Sequence, residues 1–305
     1  MALPEERTIA AVLTAYHPDE RLAAVVESAL ETCALVVIAD NTPSGTASSA
    51  AQLSGPRVKV IQSGKNLGLG AALNLAVSEL PAEVDSVLFL DQDSVLPAGL
   101  VEGLAAGFTD ERVGVMAPTP WDFKHETYYC DTATMTDTVS DVEAVITSGM
   151  LVRRTVLERV KFREDLFIDW VDIAFCLDVG AAGFRIVQDW RLRLLHSIGN
   201  CEMHSLGYRK VHVSHYPVWR LYWIGRNAPV VHRIRFGRSP RAAVSTTLFI
   251  GPRLVSMLLF ERSRFAHAVA LLRGLGDGLR GRVNPAYLPA GASHPAFERS
   301  SGTPD

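Results

Sequence analysis

Four short apolar runs, each set apart from the next by a loop and a helical stretch, constrain this chain more than any other feature. They are TIAAVLT (8–14), ALVVIAD (34–40), RVKVIQ (57–62) and VLFLD (87–91). Between them lie ERLAAVVESAL, a stretch after the turn NTPSG, and AALNLAVSEL. Runs that are apolar throughout, rather than at alternate positions, need both faces covered, and single helices between them supply the cover. The pattern predicts an α/β fold with a Rossmann-like, mostly parallel central sheet and flanking helices. Right-handed crossovers then put every post-strand loop on one edge of the sheet, and ligands of open sheets bind at that edge. The chemistry is therefore expected in the loops at Ala15, Asp40, Lys65 and Asp91.

Composition narrows the function classes. A formal charge of -3 gives no electrostatic basis for a nucleic-acid partner. No GxGxxG opens the first helix, which argues against a dinucleotide-dependent dehydrogenase. The loop after the first run is AYHPDE rather than a glycine- and lysine-rich phosphate loop, which argues against a nucleotidyltransferase. The four cysteines, Cys33, Cys130, Cys176 and Cys201, form no CxxC pair and read as reduced thiols. The N-terminal MALPEERTIA lacks the basic and apolar regions of a signal peptide, so a cytoplasmic catalytic part is expected.

The sharpest chemical feature is Asp91-Gln92-Asp93 at the end of the fourth run. Two carboxylates one residue apart at a strand end can face one pocket and suit a hard divalent cation, Mg²⁺ or Mn²⁺, beside a diphosphate. A solvated turn capping the next helix would use the same residues.

Several segments together carry a resemblance: TAYHPD, VVIADNTPSG, GKNLGLGAALN, FLDQDS, TSGMLVRR, LFIDWVDIAFCL, LLHSIGN and a later RN, in this order between about residues 9 and 227. In these the chain resembles the family 2 glycosyltransferases of GT-A fold, and within them the bacterial rhamnosyltransferases. The resemblance implies an inverting, metal-dependent transfer from a nucleoside-diphosphate sugar. Thr14, Ala15 and Tyr16 would line the nucleotide, and Asp40 would accept from the N3–H of a pyrimidine. Lys65, Asn66 and Gly68 would form a donor loop, with Gly68 admitting the backbone to the nucleotide and Lys65 offsetting phosphate charge. Asn74, further along, reads equally as a packing or capping residue. Asp93 would be the main metal ligand, with Asp91 near the ribose or metal, Gln92 on the nucleotide-sugar and His196 a late ligand. An isolated His on an apolar strand also reads as a core residue.

Within LFIDWVDIAFCL the resemblance puts Asp172 at the general base, Trp170 beside sugar or acceptor, and Asp169 as the alternative carboxylate. Thr147, Ser148 and Gly149 would line the acceptor pocket, and Arg226 with Asn227 would touch a diphosphate, a helix-face salt bridge being an equal reading for the arginine. One position departs: the related sequences usually carry an acid where this chain has Ala174. The donor expected is dTDP-L-rhamnose, with UDP-galactofuranose or UDP-glucose as alternatives and a non-catalytic nucleotide-sugar-binding protein as a further one. The partners expected are that donor and a glycan or glycolipid acceptor.

Residues 1–235 are expected to form the catalytic domain, with a nucleotide-sugar half at about 8–110 and an acceptor half at about 111–235. Residues 236–285 read as an amphipathic helical appendage, lying on the inner face of the plasma membrane or packed as a helical pair on the domain. Within it, AAVSTTLFIGPRLVSMLLF (242–260) is interrupted by Pro252 and Arg253. Residues 286–305 read as a disordered tail.

Overall fold

The computed structural model describes residues 8–122, 127–128, 138–195, 201–206, 209–237, 261 and 263–298. The expected His196 and the apolar 242–260 lie outside the described residues.

The chain opens with β1 (Ile9–Ala15), α1 (Arg21–Leu30), β2 (Leu35–Asp40), β3 (Val58–Gln62), α2 (Leu69–Ser78), β4 (Ser86–Asp91) and α3 (Leu100–Ala106). It continues with β5 (Val113–Asp122), β6 (Thr127–Tyr128), β7 (Val139–Asp141), β8 (Leu151–Arg153), α4 (Arg154–Leu157), α5 (Val171–Ala181) and β9 (Arg185–Leu195). A hairpin of β10 (Cys201–Leu206) and β11 (Arg209–Ser214) precedes α6 (Val218–Phe236), α7 (Arg264–Leu279) and α8 (Pro295–Glu298).

The central sheet has nine strands in the order β3-β2-β1-β4-β8-β5-β9-β7, with β6 on β5. Its first half is parallel throughout. The second half is mixed, because β8 runs antiparallel between β4 and β5, and β7 runs antiparallel to β9. Along β1 the side chains alternate. Ala10 and Val12 join α2 and α5 in one layer, while Ile9, Ala11, Leu13 and Ala15 join α1 and α3 in the other. Burying a side chain such as Leu13 or Ile38 contributes about 1.5–3 kcal/mol. The chain leaves β1 towards β2 and β3 on one side and returns to β4 on the other, so the crevice at the carboxyl ends of β1 and β4 is a topological switch point.

Helix α6 is buried at every residue from Leu221 to Pro229. It packs on α7 backbone to backbone. A Cβ on Gly274 would stand 2.0 Å from Tyr222 O, and one on Gly278 would stand 2.1 Å from Arg226 O. In the described part of the appendage, then, the helices pair on the domain, although α7 also turns Phe265, Val269, Leu272 and Leu279 outwards. No described helix is long and apolar enough to cross a membrane.

The expectation of a disordered tail fails for the described residues 286–298. Tyr287 stacks on Tyr222 at 4.3 Å, and His294, 1% exposed, packs at 5.2 Å from the Trp223 ring. Asn66 N–H donates to Gly291 O, and Ser293 N–H donates back to Asn66 O. Two aromatic anchors and a backbone bridge order a segment whose proline, glycine and serine content alone reads as loose.

Candidate active site

The switch-point crevice gathers the first group of expected residues. Thr14 lies opposite Asp91 in the β1–β4 register, and Ala15 opposite Asp40 in the β1–β2 register. Tyr16 N–H donates to Gln92 Oε1 at 2.8 Å, tying the loop after β1 to the Asp91–Asp93 turn. Gln92 is thus engaged with protein backbone, whereas Tyr16 itself is 38% exposed.

Asp40 is nearly closed off, at 2% exposure. Burial works to raise its pKa, but donors from Ser48, Thr42 and Gln62 outweigh burial and hold the carboxyl below the ordinary aspartate range. Thr42 N–H and Gln62 Nε2 each bond one carboxylate oxygen, at 3.0 and 3.1 Å.

The expected donor loop is positioned differently from its reading. Gly68 adopts φ +81, and a Cβ there would meet Phe167 O and the Phe167 ring at 2.7 Å. The glycine is required by Phe167 of the acceptor half. Asn66 is buried, its Oδ1 accepting from Gly68 N–H at 2.9 Å. Asn41 holds the same loop, accepting from Leu67 N–H and donating to Gly68 O. Lys65 remains exposed, 4.0 Å from Glu298, an ion pair of small energetic consequence in water. Asn74 bonds Phe162 O, Phe162 N–H and the Glu164 carboxylate, which is a packing role.

Asp91 and Asp93 are half-buried at the end of β4. Arg21 of α1 reaches to 3.6 Å from Asp93, a neighbour that the sequence reading missed. The turn Thr147-Ser148-Gly149 sits against the same strand end: Ser148 Oγ accepts from Asp91 N–H at 3.3 Å, and Gly149 N–H donates to Phe89 O at 2.8 Å. Two hard carboxylates at an open strand end fit Mg²⁺ or Mn²⁺ as a donor set. Among the described residues, no three His, Cys, Asp or Glu side chains cluster as a metal site.

Asp172 lies in the first turn of α5, half-buried, with one oxygen accepting from Ile173 N–H at 2.8 Å. Burial is the main influence on it. Together with the charges of Asp169 and Asp91, and against the Ile173 hydrogen bond, it pushes the carboxyl up to about 6. The charge of Asp91 at the end of β4 thus reaches Asp172 and works in the same direction as burial. Asp169 itself is taken: Arg220 grips both its oxygens at 2.9 and 3.0 Å.

Two expectations are overturned here. Trp170, expected beside the sugar, is 8% exposed and belongs to the core, its indole N–H donating to Ile224 O at 3.1 Å. A buried indole needs such an acceptor. Arg226, expected on a diphosphate, is 5% exposed and points inwards, its guanidinium donating to Asp165 O at 2.8 Å and to Asn227 Oδ1 at 3.1 Å. Ala174, the departing position, is fully buried in the core, two residues after Asp172 on α5.

Sequence reasoning also missed the grip of α6 on the 165–170 loop. The signal was present: Arg220, Ile224 and Asn227 stand at i, i+4 and i+7 of a helix and share one face.

Comparison with known proteins agrees with this geometry. The family described as Glycosyl transferase family 2 matches residues 10–187, more than half of the chain. The dTDP-rhamnosyl transferase RfbF of Shigella flexneri is 28% identical over 239 residues, covering 72% of this chain and 78% of RfbF. Among solved structures, S. aureus TarS superposes with a TM-score of 0.57 at 15% identity over 92% of this chain, which spans 50% of the TarS chain. TarS 1–349 in complex with UDP-GlcNAc gives 0.53 at 14% identity, covering 90% of this chain and 92% of that one. At such identities the structures speak for the fold, which is GT-A. The chain belongs to glycosyl transferase family 2 and is a nucleotide-sugar glycosyltransferase.

Proposed function

We propose that the protein transfers L-rhamnose from dTDP-rhamnose, with inversion and with a divalent cation, to a hydroxyl of a lipid-linked glycan or glycolipid of the cell envelope. The observation that carries this reading is Asp172: a carboxyl at the start of α5 raised to about 6 by burial and by the charges of Asp169 and Asp91, while Asp169 itself is paired with Arg220. A general base is most effective with a pKa near the working pH. Asp172 would take the proton of the acceptor hydroxyl as that oxygen bonds the anomeric carbon and the bond to the diphosphate oxygen breaks. This is one displacement, without a covalent intermediate.

Asp93 and Asp91, with His196 outside the described residues, would hold the cation. When bound, it supplies charge neutralisation for the departing nucleoside diphosphate. Tyr16, Asp40 and the exposed Lys65 would meet the base, ribose and phosphates, and the Thr147–Gly149 turn would flank the acceptor. The name of the RfbF relative supports the sugar and the thymine nucleotide.

The outward face of α7 supports a membrane-surface location: Phe265, Val269, Leu272 and Leu279 are exposed, with Arg264 and Arg273 exposed along the same helix and Arg280 just past its end. Apolar side chains flanked by arginines suit an anionic leaflet, here the inner face of the plasma membrane.

The testing experiment is nucleotide release from dTDP-rhamnose, UDP-galactofuranose, UDP-glucose and GDP-mannose. Each donor is run with Mg²⁺ or Mn²⁺, with chelator, and with and without membrane lipid extract. Release from dTDP-rhamnose alone, abolished by chelator and raised by extract, is the expected result. Release from another donor would replace the sugar. Binding without release from any donor would favour the non-catalytic reading.

A further inference from the structure

The segment that presents the proposed base is held in an unfavourable backbone conformation. Phe167, Asp169 and Trp170 have φ values of 54, 59 and 66, in the left-handed region that L-residues other than glycine avoid. Of the three only Asp169 is a type that visits this region with any frequency, and the bulky Phe167 and Trp170 are not, so local sequence does not hold the loop there. Such conformations persist only where the surroundings over-determine them.

The surroundings are mostly one helix. Asn227 of α6, fully buried, points its amide at three loop carbonyls: it donates to Leu166 O, to Ile168 O at 2.9 Å and to Asp169 O at 3.1 Å. The orientation of this amide is fixed by Arg226, which donates to its Oδ1. Arg226 also donates to Asp165 O, Arg220 grips Asp169, and Trp170 donates to Ile224 O. On the opposite side, Leu69 N–H donates to Phe167 O, so the donor loop touches the same segment. Two residues after Trp170 comes Asp172.

We propose that Asn227 is a positioning residue for glycosyl transfer, its side-chain amide holding the left-handed 167–170 loop by three carbonyls and so aiming Asp172 at the acceptor hydroxyl. This rests on Asp172 being the base. Asn227 touches neither donor nor acceptor, so its loss acts on turnover rather than on donor affinity. A misaimed base costs rate steeply, because productive geometry tolerates little displacement.

The test compares Asn227→Ala with Tyr222→Phe. The control variant loses hydrogen bonds from the same helix to Asp277 and Asn284, away from the loop. For each, kcat of transfer, donor affinity by calorimetry, melting temperature and amide exchange of residues 166–173 are measured on the full chain. Asn227→Ala is expected to lower kcat about 100-fold, keep donor affinity within about twofold and speed exchange in 166–173. Tyr222→Phe is expected to do none of these at a comparable loss of melting temperature. Equal kcat losses in the two variants, or a donor affinity that falls with kcat in Asn227→Ala, would overturn the proposal. If Asn227→Ala does not fold, Asn227→Ser, which keeps a single donor, is held to the same criteria. The exchange measurement stands without catalysis: if the wild type proves inactive, faster exchange of 166–173 in Asn227→Ala than in the wild type would retain the clamp and remove only the base.

Discussion

The two halves of the sheet solve the same problem, placing carboxylates at its carboxyl edge, by different means. In the donor half, Asp40 and Asp91 end parallel strands whose register with β1 fixes them. Their positions follow from strand length and pairing, with the Ser148 hydroxyl at Asp91 N–H as an added support from outside the parallel strands. In the acceptor half, Asp172 starts a helix after a left-handed loop, and the groups that hold that loop come from α6, more than fifty residues later. A strand end is set by the repeating geometry of the sheet. The base is set by a few unrepeated contacts, so it is more vulnerable to change far from the chemistry.

The largest effect expected separates the halves by function. Asp172→Asn keeps shape and removes the proton acceptor, so transfer should fall by roughly 10³-fold or more, within the reach of general-base catalysis. Donor affinity should stay near that of the wild type. A collapse of donor binding in this variant would assign Asp172 to the donor half and dissolve the distinction. Next in size, Asp93→Ala should weaken donor binding in the presence of Mg²⁺ or Mn²⁺ by about 100-fold, and chelator should then make no further difference. Donor binding that is the same with and without chelator in the wild type would remove the cation from the mechanism.

This asymmetry also decides what the sequence disclosed. The parallel half was legible because uniform apolar runs and post-strand loops have one arrangement that buries them. Asp91, Asp93 and Asp40 fall where that arrangement puts them. Resemblance, not periodicity, singled out Asp172 from Asp169, and the Arg220 ion pair that separates them links residues 51 apart in the chain. Trp170 and Arg226 depart from their expected ligand contacts for one reason: a charged or aromatic residue in a site motif can equally satisfy buried backbone carbonyls, and both do so here, Arg226 also pairing with Asp165. The 286–298 segment departs from the expected disorder because its loop-like composition conceals the aromatic stacking of Tyr287 and the ring packing of His294.

Where the halves meet, Gly68 offers a smaller effect that tests whether they are independent. Its φ of +81 disfavours any L side chain, and the atoms that a Cβ would meet at 2.7–2.9 Å include Phe167 backbone, which cannot swing away. Gly68→Ala should cost about 2 kcal/mol, or about 5 °C in melting temperature for a domain of this size. Because the displaced atoms belong to the loop before Asp172, kcat should fall more than donor affinity. A variant with weakened donor binding and unchanged kcat would show that the glycine serves the nucleotide after all.

The smallest effect concerns stability, and its sign follows from Asp172. Its carboxyl is raised from 3.8 to about 6 in the folded protein, so the folded state binds the proton more tightly than the unfolded one. The resulting stabilisation is fully present below about 3.8 and is lost as pH rises through about 6. Two pKa units correspond to about 3 kcal/mol, and water reaching a half-buried group reduces this to about 1–2 kcal/mol. Asp172→Asn cannot ionise and escapes the loss. Its melting temperature relative to the wild type should therefore rise by a few degrees between pH 4 and pH 7, while its transfer activity stays negligible. Referring each variant to the wild type at the same pH cancels the titration of the other carboxylates. A difference that stays flat across that interval would mean that the carboxyl is not held in a charge-disfavouring cavity, and the acceptor half would then place its base no differently from the strand-end carboxylates of the donor half.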